Sequence, residues 1–235
     1  MSQTISFIHP DSLAFPPLSQ ALDEPNGLLA IGGDLTPSRL ISAYKSGIFP
    51  WYSEGEPIMW WSPDPRALIP TNDININRTL RKFINKQKYQ VTLNKAFEQV
   101  IQFCADAPFR NEDTWITDEM QLAYLTLHEQ GHAHSIEVWD EDILVGGLYG
   151  VAINGFFSGE SMFYAAPNAS KVALVALANH LKSAHIKFID CQLTNPFLAD
   201  MGCIEISRKQ FIDEKTVAQL IVLPENFWSP KLLDY

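Results

Sequence analysis

The sequence predicts an α+β fold, with a small N-terminal domain over residues 1–65 wrapped on a larger domain over residues 66–235 that is built around a mixed, mainly antiparallel sheet. Three observations predict it. The Pro- and Gly-rich texture of the first 65 residues gives way at Arg66 to longer periodic segments. Two turn signals, Asp140-Glu141-Asp142 and Asn154-Gly155, separate three apolar runs at His134–Trp139, Ile143–Ile153 and Gly155–Phe163, and Asn-Gly between strands is a strong hairpin signal. A helical pattern from Asn168 to about Ser183 is then followed by one more apolar run, Ile186–Gln192. A helix between strands makes such a sheet mixed rather than purely antiparallel.

Composition narrows the class. A chain of 235 residues with 46% hydrophobic content and six Trp can bury a sizeable core, and 19% charged residues is not a disordered composition. A net charge of −10 argues against general affinity for nucleic acid or for an anionic membrane, and favours a cationic partner. No signal peptide is evident in MSQTISFIHPDSLAFP, and no apolar run reaches the length of about 18 residues that a membrane span needs. The three cysteines, Cys104, Cys191 and Cys203, are odd in number and form no CxxC pair. Free thiols in a reducing cytoplasm fit them better than a disulfide framework.

In chain order, the first clear helix is capped at Thr36, has Pro37 at its first position, carries Leu40, Ile41 and Tyr44 on one face, and ends at Gly47. Gly32-Gly33-Asp34 lacks the Lys-Ser/Thr of a phosphate loop and reads as a turn. Ala67-Leu68-Ile69 is strand-like. Leu80, Phe83 and Ile84 form one helical face, with Arg78, Arg81, Lys82 and Lys86 covering the rest. Residues 78–88 hold five of the seventeen basic residues and no acid, so the segment is either a solvated face or a phosphate-contacting patch. A further helix begins near Asn94, with Phe97, Val100, Ile101 and Cys104 at helical spacing, and a polar loop follows over residues 105–115. Thr117 caps the next helix, whose first turn carries Asp118 and Glu119 and whose core face holds Met120, Tyr124 and Leu127 up to Gly131. The glycines of VGGLYGV mark a bulge or a close backbone approach. A short basic helix near Ser207–Lys215 and a terminal loop, LPENFWSP, close the chain.

The chemistry concentrates between Gly155 and Gln192. Glu160 and Asp190 are acids at the ends of apolar strands, where a charge is costly unless paired. Alternation puts Asp190 and Gln192 on one face and Cys191 on the other, which assigns Cys191 to the core. Two readings remain at this point: structural hydrogen bonds at strand ends, or a site that positions an amine and accepts its proton. Ser158 and Ser161 in SGES do not form a serine-hydrolase elbow. His132 and His134 fall on one strand face but lack a third ligand, so no metal is expected. Three antiparallel strands, a helix and a returning strand are the core order of a GNAT-like acyltransferase domain. The helix start reads YAAPNASK, without the glycines that cradle the pyrophosphate of acyl-CoA, and this argues against CoA as donor.

GGDL, GIFPW, WWSPDPR, WIT, GHAHSIEVW, GGLYGV, GESMF, NASK, DCQ and NFW, in this order and over almost the whole chain, resemble the leucyl/phenylalanyl-tRNA–protein transferase family. The resemblance implies an enzyme that takes leucine or phenylalanine, and less well methionine, from aminoacyl-tRNA. It attaches the residue to proteins with N-terminal Lys or Arg, marking them for N-end rule degradation, and it requires no cofactor. The resemblance makes Asp190 and Gln192 the catalytic pair, with Gln192 accepting from the attacking amine and Asp190 polarising it; because Asn keeps the shape of Asp, an Asp190→Asn change is expected to spare the fold. It also makes Glu160 the holder of the donor's amino group, and Trp51 and Trp115 the contacts of the terminal adenosine. Leu148, Met162, Leu177 and Ile189 then line the donor side-chain pocket, with Leu148 and Leu177 standing where Met and Phe also occur in the family. Arg78, Arg81, Lys82 and Lys86 match the cluster that meets the acceptor stem. Two other functions stay open on the residues alone: a CoA-dependent N-acyltransferase, and a tRNA-binding module without catalysis.

Overall fold

The computed structural model describes residues 5–106 and 115–235, and most of the polar loop expected over 105–115 lies outside them. The first sheet has four short strands in the order β1–β2–β4–β3, namely β1 (Ser6–Ile8), β2 (Leu28–Gly32), β3 (Phe49–Pro50) and β4 (Met59–Trp61). Helix α1 (Pro37–Ser46) follows β2, with Pro37 in its first turn and Gly47 in the left-handed conformation at φ 78°. Thr36 stands at the N-cap as expected, but its hydroxyl donates to Asp34 Oδ1 (2.6 Å) and not to the helix. Asp34 in turn accepts from the buried Arg39 through Nε (3.1 Å) and Nη2 (3.0 Å). Arg39 also donates to the carbonyls of Pro10 and Ser12. Gly32-Gly33-Asp34 is therefore a structural turn that pins the N-terminal loop.

The second sheet has eight strands in the order β11–β5–β10–β9–β8–β7–β6–β12. These are β5 (Arg66–Pro70), β6 (Gln90–Leu93), β7 (Ala133–Asp140), β8 (Ile143–Ile153), β9 (Phe156–Tyr164), β10 (Phe188–Gln192), β11 (Ile204–Ile206) and β12 (Lys231–Leu233). Its neighbours pair antiparallel except β9 and β10, which are parallel. The fold is α+β with a mixed, mainly antiparallel sheet, and β7–β8–β9, a helix and β10 follow the GNAT-like order. The remaining helices are α2 (Arg78–Ile84), α3 (Phe97–Ala105), α4 (Asp118–Glu129), α5 (Ala169–Ser183), α6 (Pro196–Asp200) and α7 (Arg208–Ala218).

Several boundaries move for local reasons. Helix α2 stops at Ile84, so Lys86 sits in the following turn, where Gln87 has φ 46°. Asn168 precedes α5 in the left-handed conformation (φ 64°), which Asn tolerates, and its side chain makes no capping bond. His132 lies just before β7, which begins at Ala133 and includes His134. The terminal loop runs on into β12, which pairs with β6.

The two faces of the large sheet carry different cores. Helices α3 and α4 cover one face and share a single core with α1 and the first sheet, through Leu40, Tyr44, Trp60, Val100, Met120, Tyr124 and Tyr149. Helix α5 covers the other, with Val172, Leu174 and Leu177 against Leu148, Phe157 and Ile189. Close backbone approach sets this packing. A Cβ at Gly146 would lie 2.5 Å from Ala169 Cβ, and one at Gly150 would lie 2.3 Å from Ser158 O. The glycines of VGGLYGV let α5 and β9 come this near.

Candidate active site

Two β-bulges and a parallel seam build the site. Along β8 and β9, Tyr149 pairs with Ser161 and Gly150 with Gly159, which leaves Glu160 without a partner. Along β10 and β5, Asp190 pairs with Leu68 and Gln192 with Ala67, which leaves Cys191 out. Bulges re-aim side chains and recur beside active sites. Strands β9 and β10 pair at Asp190 and Ser158, and beyond that point each runs on without the other. A cavity of about 500 Å³ opens where they part. Leu148, Met162, Leu177 and Ile189 all line it, together with Leu174, Glu160, Cys191 and Gln192.

Asp190 is fully buried and bound on every side. Arg66 donates to both of its oxygens, Nε to Oδ1 and Nη2 to Oδ2, at 2.7 Å each. Ser158 Oγ donates to Oδ2 (2.9 Å), and the Gln192 backbone N–H donates to Oδ1 (3.2 Å). Gln192 has φ 60°, and Leu193 N–H closes a tight turn onto Cys191 O (2.7 Å). A non-glycine backbone held in this sparsely populated region is strained, and such residues cluster at active sites as well as in turns. Gln192 Nε2 donates to Ser158 Oγ (2.7 Å) and to Gly159 O (2.9 Å), so Oε1 is the acceptor left to the cavity. Asp190 and Gln192 thus meet through Ser158, although the bulge between them breaks the alternation that put them on one face. The fold-sparing Asp190→Asn change expected from the sequence must be corrected, because it would strand the buried guanidinium of Arg66. Removing one partner of a buried pair costs about 3–5 kcal/mol.

Glu160 has one oxygen satisfied and one not. Tyr124 OH donates to Oε2 (3.0 Å) and is itself in a short hydrogen bond with Tyr44 OH of α1. Oε1 is buried with no hydrogen-bond partner. Burial, helped by the nearby charge of Asp190, raises the Glu160 pKa to about 7 against the pull of the two tyrosines and Arg66. A buried lone acceptor beside a cavity has room for a hydrogen-bond donor, whether water or a cationic ligand.

Cys191 departs from its expected place. The bulge turns it into the cavity wall beside Gln192, where it is half-buried. Burial pushes its thiol well above the ordinary range, which makes it a poor nucleophile. Trp51 and Trp115 do not line the cavity. Trp51 is 42% exposed and packs its ring 5.5 Å from Trp61, while Trp115 is half-buried against the shared core. Their neighbours in sequence, Tyr52 and Ile116, both line a second, separate cleft. Arg78, Arg81, Lys82 and Lys86 are exposed and, among the described residues, none pairs with a carboxylate, whereas Lys88 pairs with Asp140 at 2.7 Å. His134 is buried and stacks on Trp228, and no group of three metal-ligating side chains forms among the described residues. No helix among them is long and apolar enough to cross a membrane.

Sequence reasoning missed Arg66, Ser158, Tyr44 and Tyr124. Arg66 closes WWSPDPR at the point where the sequence texture changes, and Ser158 shares the strand parity of Glu160, but neither signal names a partner.

Comparison with known proteins follows the same lines. The family described as leucyl/phenylalanyl-tRNA protein transferase matches residues 68–216, and its N-terminal domain matches residues 33–64. A leucyl/phenylalanyl-tRNA–protein transferase of Colwellia psychrerythraea is 60% identical over 238 residues, covering 99% of each chain. One of Shewanella piezotolerans is 51% identical, covering 89% of each. Among solved structures, L-PGS from Bacillus licheniformis is similar at a TM-score of 0.40 and 12% identity, over 83% of this chain and 62% of that one. With family and relatives matched along its length, the chain is an aminoacyltransferase and belongs to the leucyl/phenylalanyl-tRNA–protein transferase family.

Proposed function

We propose that the chain transfers leucine or phenylalanine, and methionine less well, from aminoacyl-tRNA to the α-amino group of proteins beginning with Lys or Arg, marking them for N-end rule degradation in the cytoplasm. The observation that carries this reading is that Glu160 and Gln192, each with an Oε1 that no protein hydrogen bond uses, line one largely apolar cavity. The donor side chain enters between Leu148, Met162, Leu177 and Ile189. Its α-ammonium supplies Glu160 with the missing partner and favours the ionised carboxylate. The ester carbonyl then lies toward Gln192.

The acceptor's α-amine attacks that carbonyl directly. Nitrogen bonds to carbon, the carbon–oxygen bond to the terminal ribose breaks, and the proton lost by the amine ends on the ribose hydroxyl. Gln192 Oε1 accepts a hydrogen bond from the amine and orients its lone pair, and Asp190 acts on Gln192 through Ser158 Oγ. An α-amine of pKa about 7.7–8.0 is partly neutral near pH 7, so a modest pull suffices. An aminoacyl ester is already activated, and the reading therefore calls for no cofactor. Arg78, Arg81, Lys82 and Lys86 meet the acceptor stem, and the aromatic surfaces of Trp51 and Trp115 meet the terminal adenosine outside the cavity. A chain of net charge −10 suits a basic acceptor and disfavours DNA and membranes.

The test is incubation with charged leucyl-tRNA and a peptide beginning with Arg, read by mass spectrometry. The expected product is the peptide lengthened by leucine. Phenylalanine and methionine should also transfer, because an apolar pocket separates one methylene by only about 1–3 kcal/mol. Efficient transfer of a charged amino acid, or from acetyl-CoA, would overturn the reading.

A further inference from the structure

Arg66 is fully buried, and the reading above gives it no part. Its guanidinium lies over Phe49 of the first sheet (4.9 Å to the ring centre) and over Phe211 of α7 (4.4 Å), and Nη1 donates to Gly47 O (3.3 Å). Those contacts leave Nε and Nη2 as a fork aimed at Asp190. We propose that Arg66 is a positioning residue for aminoacyl transfer, fixing the direction of a hydrogen-bond chain so that Gln192 offers its oxygen, and not its NH₂, to the attacking amine. The proposal rests on the role given to Gln192 above.

The chain has one direction only. A carboxylate held in a two-pronged bond by Arg66 accepts and cannot donate. Ser158 has a single hydroxyl proton, and it goes to Asp190 Oδ2 (2.9 Å). Ser158 Oγ must then accept, and it accepts from Gln192 Nε2 (2.7 Å). The amide is thereby turned with Nε2 inward and Oε1 toward the cavity. Gly159 O, 2.9 Å from Nε2, requires the same orientation.

Without Arg66 the carboxyl of Asp190 is buried with no cationic partner on β5, and burial favours its neutral form. A neutral carboxyl donates to Ser158 Oγ, whose proton then turns toward Gln192. The amide would face a donor at Ser158 and an acceptor at Gly159, and neither orientation satisfies both. The other titratable groups acting at Asp190 are Glu160 on β9, Lys215 on α7, and the thiols of Cys191 and Cys203. Of these only Lys215 is a cation, and its Nζ is committed to Lys45 O and Gln219 Oε1.

The test compares wild type with Arg66→Met and Arg66→Lys, measuring kcat and KM for leucyl-tRNA between pH 5.5 and 9. In Arg66→Met, kcat should fall about 100-fold or more at pH 7, in the range lost with general-base help. KM for leucyl-tRNA should stay within about threefold, because Glu160 and the apolar wall still hold the donor. A new acid limb should appear in kcat, rising as Asp190 ionises. A limb from Glu160 differs, since it lies in KM and is present in wild type as well. Arg66→Lys keeps the charge but not the fork. It should lose about tenfold in kcat with no new limb, and it decides the matter if the Met variant does not fold. Wild-type kcat in either variant, or a loss in Arg66→Met with an unchanged pH profile, would overturn the proposal. A second readout needs no turnover: the Gln192 side-chain NH₂ should give one sharp pair of resonances in wild type and a split or broadened pair in Arg66→Met. An unchanged pair would overturn the proposal even if wild type failed to transfer leucine, in which case the functional reading would fail separately.

Discussion

Glu137 and Glu160 are both acids of the large sheet, and the difference between them lies in what surrounds each oxygen. Glu137 is fully buried and fully supplied by Thr92 Oγ1, Ser135 Oγ (2.5 Å) and the backbone N–H groups of Lys95 (3.3 Å) and Ala96 (3.4 Å). Glu160 keeps one oxygen without a partner and has a pKa of about 7, raised chiefly by burial from 4.5. A folded-state pKa above the unfolded one means that stability is intact below the unfolded value and is lost as pH rises through about 7. Glu160→Gln should therefore stabilise the free protein increasingly from pH 5 to pH 9, by at most about 3 kcal/mol, while weakening donor binding. Paired thermal melts at the two pH values check this, and a gap that does not change with pH would contradict it. Glu160, Asp190 and Gln192 were legible as polar residues in apolar strands. Arg66 was not, because its partner Asp190 is 124 positions away and nothing local announces an ion pair. Cys191 was assigned to the wrong environment because a bulge interrupts the alternation on which the assignment relied.

At the level of elements, legibility followed length and capping. Helix α1 with Pro37 and Gly47, α4 with the Thr117 cap, and the hairpin at Asn154-Gly155 read directly from local chemistry. Strands of two to five residues in the first sheet did not, since their pairing partners and not their own sequence make them strands. Helix α2 illustrates a limit of another kind. Its pattern gave the basic face, but whether that face meets acids elsewhere in the chain is a tertiary fact, and Arg78, Arg81, Lys82 and nearby Lys86 remain exposed without carboxylate partners among the described residues. Each true phosphate contact lowers the salt slope of tRNA binding by about one when neutralised. The quadruple Ala variant should thus bind tRNA more weakly, with a slope shallower by up to about four, measured as Kd against salt concentration. An unchanged slope would make the helix an ordinary solvated face.

For the whole molecule, α1 and the first sheet are packed into the body that holds the candidate site and are not an appendage. Tyr44 reaches Glu160 through Tyr124, Gly47 O and Phe49 brace Arg66, and Lys45 O accepts from the buried Lys215 of α7. The sequence announced two textures meeting at Arg66, but the sharing of one core across that junction depends on contacts between residues far apart in the chain. The cavity likewise belongs to no single segment, because it exists where β9 and β10 part and where α5 roofs the gap. The account stands on direct transfer within that cavity, with Gln192 receiving the amine. Gln192→Ala removes the acceptor without stranding a charge, so the most direct measurement is its single-turnover rate of leucine transfer from leucyl-tRNA to an Arg-starting peptide. The predicted result is a rate about 100-fold or more below wild type with donor binding preserved and no leucine attached to the enzyme; a wild-type rate, or labelled leucine trapped on Cys191, would contradict it.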